Sequence, residues 1–210
     1  VGLRNLGNTC FMNSIIQCLC HTPFLKDYFI KGYYKNDINT DNPLGWQGKV
    51  ANTWGNLLTN YWSNKYEILS PKELKSTIHD VQPRFIGYQQ HDSSEFLQFL
   101  LDGLHEDLNR IKKKPYTNKV ESNGSDNVQV SKQSWIIHKK RNDSLFVDLV
   151  QGQIKSHVEC PDCDKISVVF DPFMFLSVPI PSQGKKVNKI ITLVPLDREL
   201  VPTKYLITLD

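Results

Sequence analysis

Apolar residues recur at helical intervals over most of the first half of the chain. Across residues 10–20, Phe11, Ile15, Cys18 and Leu19 fall at i, i+4, i+7 and i+8, which predicts a helix with one apolar face. Asn8 or Thr9 is placed to cap it through a side-chain oxygen. His21-Thr22-Pro23 ends it, because the residue before a proline is pushed away from helical angles. Residues 46–62 carry Val50, Trp54, Leu57, Leu58, Tyr61 and Trp62 at the same period. Ser70-Pro71 predicts a third helix, with serine as cap and proline first, running through Leu74, Ile78 and Val81 to Pro83. The longest stripe lies in 92–111, where Leu97, Leu100, Leu101, Leu104, Leu108 and Ile111 form a continuous apolar face and His105 falls on the polar side.

The pattern then changes. Residues 115–133 are polar, centred on Asn123-Gly124-Ser125-Asp126-Asn127, and predict a mobile surface loop followed by a short helix around Trp135. From Ser144 onward, Leu145-Phe146-Val147, Gln153–Glu159 and Ile166–Phe170 read as strands. Pro179–Gly184 is a break. After it, Asn188–Pro195 and Lys204–Leu209 predict a hairpin that begins a new unit. The divisions expected are therefore a mainly helical part, 1–143, a β-rich part, 144–184, and the start of an insert, 185–210.

Composition narrows the class. In 210 residues, 40% hydrophobic and 10% aromatic content supplies a core, and the net charge of +3 is spread along the chain. No basic stripe with interleaved aromatics points to nucleic acid, and Lys112-Lys113-Lys114 reads as a solvated helix end. No apolar run is long enough for a membrane span, and Val1 opens no signal-peptide pattern. The chain opens inside motif-rich sequence, as an excised piece would. Five cysteines, two of them in a CxxC, argue for a reducing compartment, cytoplasm or nucleus, and against a disulfide framework.

Three motifs carry chemistry. The first is Asn5-Leu6-Gly7-Asn8-Thr9-Cys10, which puts a cysteine on the first turn of a helix, where unpaired N–H groups and the helix dipole favour a thiolate. Asn5 is placed to turn its amide to the same point and hold an oxyanion. The alternative is an ordinary packed cysteine, the reading given to Cys18 and Cys20. The second motif runs from Gly87 to Phe96. Asp92 and Glu95 have capping-box spacing, and two carboxylates at an exposed helix start also suit a basic partner. Gln90 is placed to hydrogen-bond an extended peptide. The third motif, Cys160-Pro161-Asp162-Cys163 between two strands, reads as half of a tetrahedral zinc site or as a redox pair. His157 is a third ligand or, as read here, a surface strand residue. A cysteine nucleophile needs a base. His138 and His157 follow Cys10 at roughly the papain-type separation of about 130–150 residues, but no histidine is followed by a clear orienting Asn or Asp.

In this order and spacing the motifs resemble the ubiquitin-specific protease family. Gly2–Ser14 is similar to its cysteine box, Gly87–Leu108 to its second box, and Cys160/Cys163 to the first zinc knuckle of its fingers. The likeness covers residues 2–181. Asp102–Arg110, Phe170-Asp171-Pro172-Phe173 and Leu176-Ser177-Val178-Pro179 resemble the subfamily whose catalytic domain is split by a ubiquitin-like insert, so 187–210 would open that insert. The resemblance implies an α+β, papain-like cysteine protease, here a helical thumb with part of the β fingers and palm. It would hydrolyse the bond after ubiquitin's C-terminal glycine. Cys10 would be the nucleophile and Asn5 the oxyanion donor, while Gln90, Asp92 and Glu95 would hold ubiquitin's arginine-bearing tail. A structural zinc is implied and no organic cofactor. His91 stands where the family more often has Gln. The catalytic histidine, its Asp or Asn orienter and the second knuckle are absent here, so the expected partners are ubiquitin, ubiquitinated proteins and the C-terminal half of the same domain. The competing reading is a ubiquitin-binding scaffold without turnover.

Overall fold

Helical periodicity becomes helix wherever its apolar face finds another to pack on. The structure is a computed structural model and describes residues 1–180, 187–193 and 203–209. It divides into two units, Val1–Met174 and Phe175–Asp210. In the first, strand β1 (Gly2–Leu3) leads into helices α1 (Cys10–Cys20), α2 (Pro23–Ile30), α3 (Tyr34–Asp37) and α4 (Lys49–Tyr61). Strand β2 (Ile68–Leu69) pairs with β1 in parallel and precedes α5 (Lys72–Val81) and α6 (Ser93–Asp107). Then come α7 (Asn127–Lys139), α8 (Leu145–Val150) and the antiparallel strands β3 (Gly152–Glu159) and β4 (Ile166–Phe173). The second unit holds β5 (Val187–Leu193) antiparallel to β6 (Thr203–Leu209), with Val187 opposite Leu209 and Leu193 opposite Thr203. This is the expected hairpin. The connection between its strands and most of the expected break, 181–184, lie outside the described residues.

The core of the first unit lies among α1, α4, α5 and α6. Met12, Ile16, Trp54, Leu58, Leu74, Ile78, Leu100 and Leu104 are fully buried there, each contributing about 1.5–3 kcal/mol over leaving it in water. Gly103 lets the ring of Trp46 lie on α6, since a Cβ there would sit 2.8 Å from Trp46 Cζ3.

The long irregular stretch between α3 and α4 is held by polar groups at the end of α6. Gly48 at the start of α4 has no side chain to offer. The buried carboxylate of Asp107 does the capping instead. Its Oδ1 accepts from Trp46 N at 2.6 Å, and its Oδ2 accepts from Val50 N at 3.0 Å and Ala51 N at 3.1 Å. Asn39 N donates to the Asp107 carbonyl, Asn39 Nδ2 to Asn109 O, and Asn42 Nδ2 to Glu106 O. Asn109 Oδ1 accepts from Ile111 N and Asp143 N, which joins the same hub to the segment before α8.

Several local expectations are corrected. Leu145–Val147 is the first turn of α8, not a strand. Ser144 Oγ accepts from Val147 N, and Phe146 and Val147 are buried, so packing overrides β-propensity. The polar stretch 115–133 is not all loop. Asp126 caps α7 by accepting from Gln129 N, and Ser122 pairs with Val168 of β4. α7 buries no residue, so its sequence carries no apolar stripe. Pro71, not Ser70, occupies the cap of α5, and Ser70 Oγ is buried without a partner among the described residues. The buried face of α1 is Met12, Ile16 and Cys20. Cys18 is exposed, contrary to its packing role, whereas Cys20 is buried and its thiol is pushed up to about 12 by desolvation. α6 ends at Asp107, and His105 is buried rather than on a polar side. α2, α3 and the β1–β2 pair were not anticipated.

Replacing Asp107 by Ala strands two buried N–H donors and a half-buried third, at about 1–3 kcal/mol for each left unsatisfied. The expected loss is about 3 kcal/mol or more in urea unfolding followed by circular dichroism. Asp107→Asn, which keeps one acceptor, should lose clearly less.

Candidate active site

The site is built from a loop and two helix starts. β1 is pinned to β2 by Gly2 N on Glu67 O and Arg4 N on Leu69 O, which fixes where the loop begins. Asn5 Oδ1 accepts from Gly7 N at 3.0 Å, Thr9 N at 3.1 Å and Thr9 Oγ1 at 3.1 Å. Leu6 N donates to Thr9 Oγ1 at 2.9 Å. Thr9 is the cap residue of α1, but its hydroxyl turns back into the loop and Asn8 reaches elsewhere, so the expected side-chain cap does not form. Cys10 is therefore an exposed thiol on the first residue of a helix whose N-terminal N–H groups no side chain occupies. Such an end stabilises negative charge that develops beside it. The oxygen of the Asn5 amide is fully committed, while its Nδ2 makes no hydrogen bond among the described residues.

The second motif starts α6. Asp92 Oδ1 accepts from Ser94 N at 2.7 Å. The Ser94 hydroxyl and N–H hold the Asp92 carboxyl below the usual carboxylate range. The reciprocal half of the capping box is not made, because Glu95 Oε1 accepts instead from Arg84 Nη2 at 2.7 Å. Both partners are largely open to water, which weakens that pair. Gln90 and Asp92 are exposed.

Aromatic packing brings the two motifs together. Phe11 meets His91 at 5.1 Å and Phe96 at 5.5 Å between ring centroids, and Phe85 meets the same two rings at 5.1 and 5.6 Å. A cavity of about 10 Å³ lies beneath, lined by Thr9, Phe11, His79, Phe85, Gln89 and His91 among others. It is too small for a peptide. Tyr88, Lys75 and Arg84, which sequence reading passed over, all touch this region. The one sequence signal was an aromatic residue set in the polar Gly87–Asp92 run.

The third motif stands apart, at the turn between β3 and β4. Cys160 N donates to Lys165 O, Asp164 N donates to Cys160 O, and Asp164 takes φ 54°. The N–H of Asp162, then the Cys163 thiol and N–H, hold the Cys160 thiol below its ordinary range. That environment suits a soft metal on thiolate ligands. Among the described residues, however, no group of three or more His, Cys, Asp or Glu side chains surrounds such a point. His157 is an exposed strand residue.

No histidine hydrogen-bonds Cys10 among the described residues. His138, one candidate base, belongs to a part-buried chain of hydrogen bonds instead. Ser144 Oγ accepts from Val147 N and is hydrogen-bonded to His105 Nδ1 at 2.8 Å. His105 Nε2 donates to Asn142 Oδ1 at 3.3 Å, Asn142 Nδ2 donates to His138 Nδ1 at 3.2 Å, and His138 Nε2 donates to Gln151 Oε1 at 2.7 Å. The His138 ring accepts on Nδ1 and donates from Nε2, and His105 donates from Nε2 and shares a hydrogen bond with the Ser144 hydroxyl on Nδ1, so both rings are fully engaged.

A family model described as ubiquitin carboxyl-terminal hydrolase matches residues 1–201. Putative ubiquitin carboxyl-terminal hydrolase 11 of Arabidopsis thaliana is 49% identical over 207 residues, 99% of this chain and 23% of that protein. Ubiquitin carboxyl-terminal hydrolase 4 of Pongo abelii is 49% identical over 207 residues, again 99% of this chain and 21% of its own length. Ubiquitin carboxyl-terminal hydrolase 15 of Xenopus tropicalis is 47% identical over 204 residues, 97% of this chain and 21% of its own. The chain thus spans about a fifth of the length of the curated relatives it matches. Among solved structures, the SAGA DUB module of Ubp8, Sgf11, Sus1 and Sgf73 bound to monoubiquitin superposes with a TM-score of 0.54 at 19% identity, covering 99% of this chain and 45% of that one. The same module bound to ubiquitin aldehyde gives 0.52 at 19% identity, covering 99% and 44%. At that identity the likeness carries the fold, which is α+β and papain-like.

Buried His105 and half-buried His138 set a pH dependence. Burial, the largest cause for both, holds His105 and His138 below the ordinary 6.5. Their contribution to stability is complete above the unfolded value and is lost as pH falls through the depressed folded values. The urea midpoint should therefore drop as pH falls from about 6.5 to about 5, and His138→Asn should flatten part of that slope.

Proposed function

The chain belongs to the ubiquitin carboxyl-terminal hydrolase family, and on that premise we propose that it carries the nucleophilic half of a thiol-dependent deubiquitinase. Its substrate is the isopeptide or peptide bond at the C-terminal glycine of ubiquitin. One observation carries the reading: Cys10 is an exposed thiol on the first residue of a helix left without a side-chain cap. Asn5 stands nearby in the chain with its amide oxygen anchored and its N–H₂ free.

The Cys10 thiolate attacks the glycine carbonyl carbon, and the C=O electron pair moves onto oxygen. Asn5 Nδ2 and the free N–H groups of α1 donate to that oxyanion. The C–N bond then breaks, and the amine leaves with a proton from a histidine imidazolium. Water hydrolyses the thioester, with the same histidine as base, and restores the thiol. In this proposal the histidine and its orienter belong to the C-terminal half of the domain, the chain's first partner. Ubiquitin's arginine-bearing tail lies along Gln90, Asp92 and Glu95. Asp92 is suited to this, because capping occupies one carboxylate oxygen and leaves lone pairs for a guanidinium. Glu95 would exchange Arg84, an exposed partner, for the substrate's arginine.

Cys160 and Cys163 would supply two of four ligands to a structural zinc, which when bound would pin the tip of the hairpin. All five cysteines are free, which supports a reducing setting, the cytoplasm or nucleus. No helix among the described residues is long and apolar enough to cross a membrane.

In the full-length protein, Cys10→Ala should abolish hydrolysis of a fluorogenic amide on the ubiquitin C-terminus. Hydrolysis that persists in this variant removes Cys10 from the reaction, whereas an active-site probe of ubiquitin that never labels wild-type Cys10 leaves the scaffold reading. Asn5→Asp is the sharper test of the oxyanion role, since it keeps the oxygen that orders the loop while it replaces the donor with a negative charge that opposes an oxyanion. Its kcat should fall by roughly 10²–10³. Residues 1–210 alone should be inactive and regain turnover when the C-terminal half is supplied.

A further inference from the structure

The loop that carries Asn5 and precedes Cys10 is held from outside at few points. Among the described residues, the hydrogen bonds that leave residues 5–9 for distant parts of the chain go to Tyr88 and Lys75 alone. Asn8 Nδ2 donates to the Tyr88 carbonyl at 2.8 Å, and Lys75 Nζ donates to the Leu6 carbonyl at 3.4 Å. The Tyr88 ring closes the arrangement. It lies against the bare α-carbon of Gly7, where a Cβ would come within 2.7 Å of Tyr88 Cδ1, and Lys75 Nζ stands 4.5 Å from the ring centroid. Tyr88 is 70% exposed, so this placement is not a by-product of core burial.

The held conformation is one the loop would not keep unaided. Gly7 at φ 92° and Asn8 at φ 52° are consecutive residues in the left-handed region. Two such residues in a row persist when their surroundings over-determine them. The internal bonds from Asn5 Oδ1 fix the loop's own shape. The contacts with Tyr88 and Lys75 fix where that shape sits relative to α5 and to the segment that ends in Gln90 and Asp92.

We propose that Tyr88, backed by Lys75, is a positioning residue for the reaction: its ring holds the cysteine loop in register with the substrate-tail segment. This rests on the reading of Cys10 as nucleophile. Tyr88 acts through Gly7 and Asn8, and the ring, not the hydroxyl, is the working part. Displacing a nucleophile and an oxyanion donor by a fraction of an ångström to one ångström lowers the rate of the bound complex more than it lowers affinity.

The test is steady-state hydrolysis of the ubiquitin amide by the full-length enzyme. Tyr88→Ala should lower kcat by roughly ten- to a hundredfold with KM within about twofold, and Tyr88→Phe should restore kcat. Gly7→Ala should be severe, and adding Tyr88→Ala should cost less than the product of the two single losses, because the ring that the new Cβ meets is gone. Full kcat in Tyr88→Ala overturns the proposal. So does a raised KM at unchanged kcat, which would make Tyr88 a ubiquitin contact, and so does a Tyr88→Phe as impaired as the Ala variant. Should Tyr88→Ala lose its fold by circular dichroism, Lys75→Met decides: lowered kcat at constant KM supports the clamp and unchanged kcat overturns it. A Cys10→Ala protein that still turns over defeats the reading beneath, whereas an inactive Cys10→Ala beside a fully active Tyr88→Ala defeats the clamp alone.

Discussion

The Asp107 carboxylate at the end of α6, seated on the N–H groups that open α4, is the constraint from which the rest of the helical packing in the first unit follows. A buried carboxylate is costly to desolvate. This one recovers the cost through three charge-assisted hydrogen bonds and the positive end of a helix dipole. The arrangement works only with the two helices at one offset, so it sets their register as well as their contact. Apolar packing of Trp54 and Leu58 against Leu100 and Leu104 is stronger in total but tolerant of sliding. The polar lock removes that tolerance, and through Asn39, Asn42 and Asn109 it extends to connections with no regular structure of their own.

With α6 fixed at its far end, its beginning becomes a reliable platform. Phe96, one turn into α6, sits between Phe11 and Phe85, so the first turn of α1 is packed on the first turns of α6. Two helix N-termini thus lie in one aromatic cluster and are treated in opposite ways. α6 satisfies its own end with Asp92. α1 spends the hydroxyl of Thr9 on the preceding loop and leaves its own end free. A free helix end costs stability, on the order of 1 kcal/mol for the missing cap. α2 and α5 also begin without a side-chain cap, so what sets the start of α1 apart is the exposed cysteine on its first residue.

The same contrast explains what could be read in advance. α1, α4, α5 and α6 were legible because each buries a stripe at period 3.6, and the β5–β6 hairpin because its apolar runs are dense. The placement of Cys10 at the start of α1 and of Asp92 at the cap of α6 was legible from residue type and spacing. α7 was read only as a short helix around Trp135, with its first turns assigned to loop, because it buries nothing and its sequence has no stripe to show. α8 was misread because Leu-Phe-Val is β-prone in isolation and helical once Ser144 caps it and Phe146 is buried. His105 and Asp107 could not be placed, since their partners lie 39 and about 60 positions away. The polar hub that governs the fold is long-range, and periodicity carries only local information.

The geometry of Asn5 shows why the loop needs both kinds of support. A primary amide has one acceptor end and one donor end, and three donors converge on its oxygen. That convergence decides which end of the amide points away from the loop, so the donor proposed for an oxyanion would be oriented on folding and need no rearrangement when substrate arrives. Orientation inside the loop is not the same as position in the site. An amide aimed correctly within a loop that drifts is no better than one aimed at random. Short-range bonds set the aim and long-range contacts from Tyr88 and Lys75 set the place, which is why an exposed tyrosine can matter to chemistry it never touches.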